Sequence, residues 1–428
     1  MRVLFTTWAS YGHYLPMVPM AWALRAAGHE VRMTSQPAMM PVMRESGLPA
    51  TAIGRDVDLM ATYRAARALI APRKPAVGAN RLSDFVASQS NLVHGYRVLR
   101  EIEDETIAMY SALWTRRPVV RPWRLSFYGE VADAMADDLL ALAQSWRPDV
   151  IVYDPFTHAG PLVANLIDVP AVRSLFGPDS TYFTAATGES RGWAAMLRRY
   201  GAGDVDLLGT ATMDVCPPSL QFSDAAAPVR RSRARYVPYN GMAEVPAWLA
   251  EPPARPRICL TWGTSIHEIL GRDAFLPGEV VLGCAKLADE RDAELVLAIS
   301  TKDRHLLPSD LPSSIRIVES VPLDALLPTC MAIVHQGGAG TMLTGLRHGL
   351  PQLVLTQSLD QATNAFQLVA AGAGLTLAAA QLPASDLLAA AHELLDHPVY
   401  RANARRIQQE IEDQPPPSAI VRALEELA

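Results

Sequence analysis

The stretch from His335 to Gly345 reads His-Gln-Gly-Gly-Ala-Gly-Thr-Met-Leu-Thr-Gly and constrains the fold of this chain more than any other. Ahead of it, Met331 to Val334 is a short apolar run, the pattern of a buried parallel strand. Beyond it, Gly340 to Gly349 predicts a helix with Gly349 as its stop and Pro351 following. A strand, a tight glycine turn and a helix in succession leave backbone N–H groups at a helix N-terminus, where the helix dipole favours an anion. Gly337, Gly338 and Gly340 would let a ligand come close to the backbone, because no Cβ intervenes. His335, at the carboxyl end of the strand, is placed to donate to a phosphate, and Thr341 adds a hydroxyl in the first turn. Ordinary strand-to-helix turns also carry glycines, so the residues downstream matter. The next strand, Leu353 to Leu355, is followed by Asp360, Gln361 and Asn364. Open α/β sheets bind ligands at the carboxyl ends of their strands. A carboxylate and an amide there can hold neighbouring sugar hydroxyls. A diphosphate cradle beside a hydroxyl binder suggests a nucleotide-sugar.

The chain has 428 residues, enough for two domains, and half of it is hydrophobic, as in a soluble globular enzyme. A net charge of −6 argues against a broad nucleic-acid surface. Cys216, Cys259, Cys284 and Cys330 are scattered, with no spacing suited to a structural zinc, and imply a reducing cytoplasm. Met1 and Arg2 lead directly into a strand, so no targeting leader is expected, and no apolar run approaches the ~20 residues of a membrane helix. Asp56 and Asp58, and again Asp204 and Asp206, form Asp-x-Asp pairs of a kind that can bind metal. Neither has an obvious third ligand, and both read as solvated loops.

The first half opens with a strand from Arg2 to Thr7, a loop through His13, a helix from about Leu15 to Gly28 and a second strand from Glu30 to Thr34. The order is Rossmann-like, yet no Gly-x-Gly-x-x-Gly follows the first strand, which disfavours a dinucleotide oxidoreductase. His13 instead occupies the strand-to-helix turn. A helix from Glu130 to Trp146 leads to a strand ending at Asp154, and a further strand runs from Ala171 to Leu175. Residues 60–125 mix helical periodicity with Arg- and Pro-rich loops, and Trp114, Trp123, Phe127 and Tyr128 are candidates to line an aromatic pocket or to serve as core. Prolines and arginines crowd the stretch after Pro228, read as a linker over 228–256. Strands at Arg257, Glu294 and Ile315 then build a second doubly wound sheet. The expected division is 1–227, linker 228–256, 257–405, and C-terminal helices over 406–428.

The pattern His335-x-Gly-Gly-x-Gly-Thr, Pro351-Gln352 and Asp360-Gln361-x-x-Asn364 resembles the donor signature of family-one glycosyltransferases with the GT-B fold. More narrowly, nearly the whole chain resembles the actinobacterial deoxysugar transferases of macrolide and anthracycline biosynthesis. The resemblance implies two Rossmann-like domains facing a cleft, a TDP-sugar donor, a polyketide aglycone acceptor and no metal or other cofactor. It implies an acceptor pocket and, in some relatives, a haem-free P450-like activator docked near residues 60–125. It also implies C-terminal helices packed back on the first domain; a homodimer is a further expectation. Backbone groups at Ser320 and Val321 would pair with a pyrimidine base, and Thr264 and Ser265 would add hydroxyl donors for the diphosphate.

Transfer to a hydroxyl requires removal of its proton and stabilisation of the leaving diphosphate. His13 is the expected base and Asp154 the partner that fixes its tautomer, and the family's dyad falls on these two positions. The alternatives are a His13 that only shapes the pocket, an Asp154 that caps the following helix, and His158 as rival base. A single displacement would invert the anomeric carbon. A nucleotide-sugar 2-epimerase would need carboxylates around the anomeric position, and a non-catalytic helper would have no need to keep His13, Asp154, His335 and Asp360 together.

Overall fold

The computed structural model describes residues 1–58, 127–179, 191–222, 229–263, 275–308, 311–379 and 382–428. Its first sheet contains β1 (Arg2–Thr6), β2 (Glu30–Ser35), β3 (Ala50–Ala52), β4 (Val150–Tyr153), β5 (Ala171–Ser174), β6 (Ala211–Asp214) and β7 (Arg230–Arg233). The strands are parallel and lie in the order β3-β2-β1-β4-β5-β6-β7. The second sheet contains β8 (Arg257–Thr261), β9 (Glu294–Ile299), β10 (Arg316–Glu319), β11 (Cys330–His335), β12 (Gln352–Thr356) and β13 (Gly374–Ala378). It too is parallel, in the order β10-β9-β8-β11-β12-β13. Central strands such as β4 and β12 are buried along their whole length, which is why they read as continuous apolar runs without alternation. The architecture is therefore the pair of doubly wound α/β domains that the strand pattern predicts.

Each sheet reverses its winding direction once, between β1 and β4 in the first and between β8 and β11 in the second. Crevices open at such switch points, outside the carboxyl ends of the two strands. His13 and Asp154 follow β1 and β4, and the 335–341 turn follows β11. Both sites thus occupy the positions that the topology leaves open.

The sheet of the first domain runs into the stretch expected to be linker: β7 is its edge strand. Val237, Met242 and Val245, farther along that stretch, are exposed. The two helices at the carboxyl end divide their apolar faces between the domains, although Glu410 of the first also accepts the Ser219 N–H of the N-terminal domain at 2.8 Å. Helix Pro398–Asp413 sets Ile407 and Ile411 against Met342, Leu343 and Leu346, whereas helix Ser418–Glu425 returns Ile420 and Leu424 to Leu24 and Ala21 of the first domain. Gly28 and Gly349 end their helices at φ +88° and +63°, left-handed values that only glycine adopts without steric cost.

Candidate functional site

His13 lies in a single helical turn, Tyr11–Tyr14, beyond the end of β1. Its Nδ1 is 2.9 Å from Oδ1 of Asp154, a fully buried carboxylate at the end of β4. Asp154 is held on every side. Oδ1 also accepts the Phe156 N–H at 3.0 Å, and Oδ2 accepts the hydroxyls of Thr7, at 3.1 Å, and Thr157. Thr157 in turn accepts the Trp8 N–H at 2.9 Å. Burial works to raise the carboxyl pKa, but the charge and hydrogen bond of His13, with the bonds from Thr157 and Phe156, outweigh it, and the group is held below the usual range. A carboxylate on Nδ1 fixes the Nδ1–H tautomer and leaves the Nε2 lone pair for an incoming proton. The expectation that Asp154 might cap a helix is met only in part: its bond to Phe156 closes a local turn, and the helix itself starts later, at Ala159.

Aromatic rings box the imidazole. Phe176 lies 4.4 Å from its centroid, Trp8 4.9 Å and Phe156 5.7 Å. Tyr128 stacks on Phe156 at 4.5 Å. His158 sits among Tyr128 and Trp193, 6.0 and 5.7 Å away, where burial pushes its pKa down to about 4. That environment makes it a neutral packing group, a poorer base than one facing a carboxylate. Trp114 and Trp123, the side chain of Phe127, and the region expected to dock an activator lie outside the described residues.

The glycine turn is built as the sequence predicts, with one correction. β11 ends at His335, Gly337 takes φ +101°, and Gly338 precedes helix Ala339–Arg347. A Cβ on Gly337 would lie 2.8 Å from Val354 and 3.1 Å from Gln361, so the turn is closed to any other residue on two counts. His335, however, does not face a phosphate. It is fully buried; its Nε2 lies 2.7 Å from Oε1 of Gln352, and its Nδ1 accepts the Gly337 N–H at 3.0 Å. Burial pushes its pKa down to about 4, against the opposing bond to Gln352. The ring is a neutral strut inside the turn, and Gln352 completes it by donating to the carbonyl of Met342 at 2.9 Å. The backbone from Gly338 to Thr341 and the Thr341 hydroxyl form the N-terminus of helix Ala339–Arg347, where the dipole favours an anion. The Gly340 carbonyl, directed along the helix, accepts the hydroxyls of Tyr236, at 3.1 Å, and Thr344, at 2.7 Å.

Gln361 likewise differs from its expected part. It is buried and accepts the Gln357 N–H at 2.8 Å, bracing the loop before helix Leu359–Ala370. Asn364 donates to the Gly337 carbonyl at 2.9 Å. Asp360 is exposed in the first turn of that helix, where Ser358 donates to it at 2.6 Å, and it remains available to hydroxyls. Ser320 stands at φ +50°, its hydroxyl accepting the Thr301 N–H at 3.2 Å. The Val321 side chain is buried, while no backbone hydrogen bond engages Val321 among the described residues. Thr264 and Ser265 lie outside the described residues. Asp56 and Asp206 accept local backbone N–H groups, from Ala38 and Leu208. Among the described residues, no three carboxylate, imidazole or thiol groups gather as for a metal ion, and no helix is long and apolar enough to cross a membrane.

The two sites meet. A Cβ on Gly177, one residue past Phe176, would lie 2.7 Å from Cβ of Ala339 and 3.7 Å from Oδ1 of Asn364. Lys302 of the second domain stands 5.1 Å over the ring of Tyr11. The braces Thr7, Thr157, Gln352 and Phe176 carry no special sequence signal of role. Only the Pro351-Gln352 pair within the donor signature pointed to any of them.

The family model for the N-terminal domain of erythromycin biosynthesis protein CIII-like proteins matches residues 22–263, and its C-terminal counterpart matches residues 284–427. The chain is 36% identical to 10-deoxymethynolide desosaminyltransferase of Streptomyces venezuelae, across 100% of this chain and 97% of that protein. It is 35% identical to tylactone mycaminosyltransferase of Streptomyces fradiae, over 100% and 92% of the two chains. Among solved structures, glycosyltransferase VinC in complex with dTDP superposes with a TM-score of 0.74 at 32% identity, covering 100% of this chain and 99% of that one. Spinosyn rhamnosyltransferase SpnG with thymidine diphosphate gives 0.71 at 28% identity over 99% and 100%. The architecture is the GT-B fold.

Proposed function

The chain belongs to the erythromycin biosynthesis protein CIII-like family of glycosyltransferases, and we propose that it moves a deoxysugar from a TDP-sugar to a hydroxyl of a polyketide aglycone, with inversion at the anomeric carbon. The observation that carries this reading is the His13–Asp154 pair, set in a box of aromatic rings at the switch point of one sheet and next to the glycine turn of the other. This reading is supported by relatives named 10-deoxymethynolide desosaminyltransferase and aclacinomycin-T 2-deoxy-L-fucose transferase, and by SpnG, VinC and SsfS6, whose structures hold thymidine diphosphate.

The acceptor hydroxyl gives its proton to Nε2 of His13 as its oxygen attacks the anomeric carbon, and Asp154 stabilises the imidazolium that forms. The leaving TDP takes up the electrons of the broken bond. Its charge is stabilised by the backbone at the N-terminus of helix Ala339–Arg347 and by the Thr341 hydroxyl, with Thr264 and Ser265 as further donors. Ser320 and Val321 offer backbone groups to the base, and Asp360 takes the sugar hydroxyls. The aromatic box around His13 suits a flat or apolar aglycone. This design assigns no step to a metal.

Calorimetry with TDP and UDP tests the donor class: tighter binding of TDP is expected, and preference for UDP would overturn the TDP-sugar assignment. Incubation with TDP-deoxysugars and 10-deoxymethynolide, tylactone or aklavinone, followed by NMR of the glycoside, tests the rest. A product whose anomeric configuration matches that of the donor would exclude single displacement.

A further inference from the structure

Behind the aromatic box lies a cluster of buried charge that the reaction does not use. Arg173, on β5, is 1% exposed and forks onto Asp179, Nη1 to Oδ1 at 3.2 Å and Nη2 to Oδ2 at 2.8 Å. Arg173 also donates to the Thr212 hydroxyl on β6 at 3.1 Å. Arg231, on β7, bridges Oδ2 of Asp179 at 3.2 Å and Oδ2 of Asp214 at 2.6 Å. Gln221 closes the ring: its Nε2 donates to both Asp214 oxygens, at 3.0 and 3.1 Å, and its Oε1 accepts the Asp179 N–H at 2.9 Å. Both carboxylates are almost wholly buried. Strands β5 and β7 therefore converge on one residue of the loop after β5, and β6 braces both arginines through Thr212 and Asp214.

Removing so much charge from water is costly, and well-packed apolar residues often serve stability as well or better. What such a network supplies that apolar packing lacks is direction, since each hydrogen bond tolerates little displacement. Asp179 ends the corner that begins with Phe176. Phe176 packs on His13, and Gly177 fits against Ala339 and Asn364 with no room for a methyl group. We infer that Arg173, Asp179, Arg231 and Asp214 are positioning residues: they pin the 176–179 corner, and through it hold the His13 ring against the donor turn. The inference rests on the proposed role of His13, yet its test does not need that role.

The test compares the full chain with the Arg173→Met/Asp179→Leu double variant, which removes one charge of each sign and leaves the Arg231–Asp214 pair. Histidine ring signals are followed by long-range 1H–15N NMR, with His13 assigned from His13→Gln. Thermal unfolding should stay within a few degrees, and TDP affinity within about threefold. The His13 ring protons should shift as the ring current of Phe176 moves away, while those of His335 stay in place. In the transfer assay kcat should fall at least tenfold with a smaller change in acceptor KM. An unmoved His13 signal in a folded double variant overturns the inference. Should that variant fail to fold, Asp179→Asn, of equal size, carries the same test with the same two outcomes. His13→Ala separates the readings: transfer retained there overturns the base, whereas the ring signal of His13 judges the corner alone.

Discussion

Two histidines stand at the carboxyl ends of switch-point strands of this molecule, and their partners give them different surroundings. His13 offers Nδ1 to a carboxylate that is itself held by two hydroxyls and a backbone N–H, in a pocket open enough to leave 14% of its side chain exposed. His335 is fully buried between an amide oxygen and a backbone N–H. A carboxylate rewards the protonated ring; an amide on one nitrogen and an N–H on the other require the neutral ring. Under the proposed reaction the same side chain carries a proton in one domain, whereas in the other it braces the glycine turn. The difference lies in one partner, Asp154 or Gln352, and substitutions there test it most directly.

The largest effect is expected on the first side. His13→Ala should lower kcat by ~10²–10⁴, the usual contribution of a positioned base, with TDP affinity unchanged in calorimetry. Asp154→Asn should fall within the same range, because an amide can neither stabilise the imidazolium nor hold the Nδ1–H tautomer by charge. Substantial transfer by either variant, measured as glycoside formed, would remove His13 from the role of base and erase the contrast. On the second side the loss should appear first in stability. Gln352→Leu strands a buried imidazole N–H, a cost of ~1–3 kcal/mol, and removes a second bond to the Met342 carbonyl. Urea unfolding should register that loss, and weaker TDP binding should accompany it as the turn loosens.

Acid should tell the two histidines apart as well. His335 is pushed from the ordinary 6.5 down to about 4 by burial. Its depressed value means that the unfolded chain takes up a proton between pH 6.5 and 4 that the folded chain refuses. Stability from this group is complete above pH 6.5 and is lost as pH falls through that window, by ~3 kcal/mol in all. His158, also lowered to about 4, acts in the same direction, though its partly exposed ring contributes less. Asp154 acts in more acidic solution, since its stabilisation is present above the usual carboxylate value and is lost as pH falls through the lowered one. Urea midpoints across pH 4–6.5 should therefore slope downward toward acid, less steeply in His158→Phe. An identical slope in that variant would mean that His158 is protonated in the folded state.

Much of this arrangement was legible in the sequence, and what was missed has physical causes. Strands β1, β4, β8, β11 and β12 are apolar because both faces are buried, and they announced themselves. β7 reads Arg-Arg-Ser-Arg: an edge strand needs no apolar face, and charge there discourages pairing with other chains. It was therefore taken as linker. The glycine turn was visible because its backbone leaves room for no other residue. The duty of His335 was not, since a buried neutral imidazole and a phosphate donor look alike until the partner at position 352 is in view. Gln361 was misread for the same reason: an amide serves a loop N–H as readily as a sugar hydroxyl.

The smallest effect is expected at Asp360. Asp360 is exposed beside Ser358, so its removal disturbs no packing. One hydrogen bond to a sugar hydroxyl contributes ~0.5–1.5 kcal/mol net, or up to ~3 where the acceptor is charged. Asp360→Ala should therefore raise the donor KM by about tenfold, with unfolding unchanged and TDP affinity, which involves no sugar, unaltered. That pattern would place Asp360 on the sugar side of the turn that His335 supports. A loss of TDP affinity instead would show Asp360 acting on the turn itself, and would extend the strut of the second domain one helix farther than its hydrogen bonds now reach.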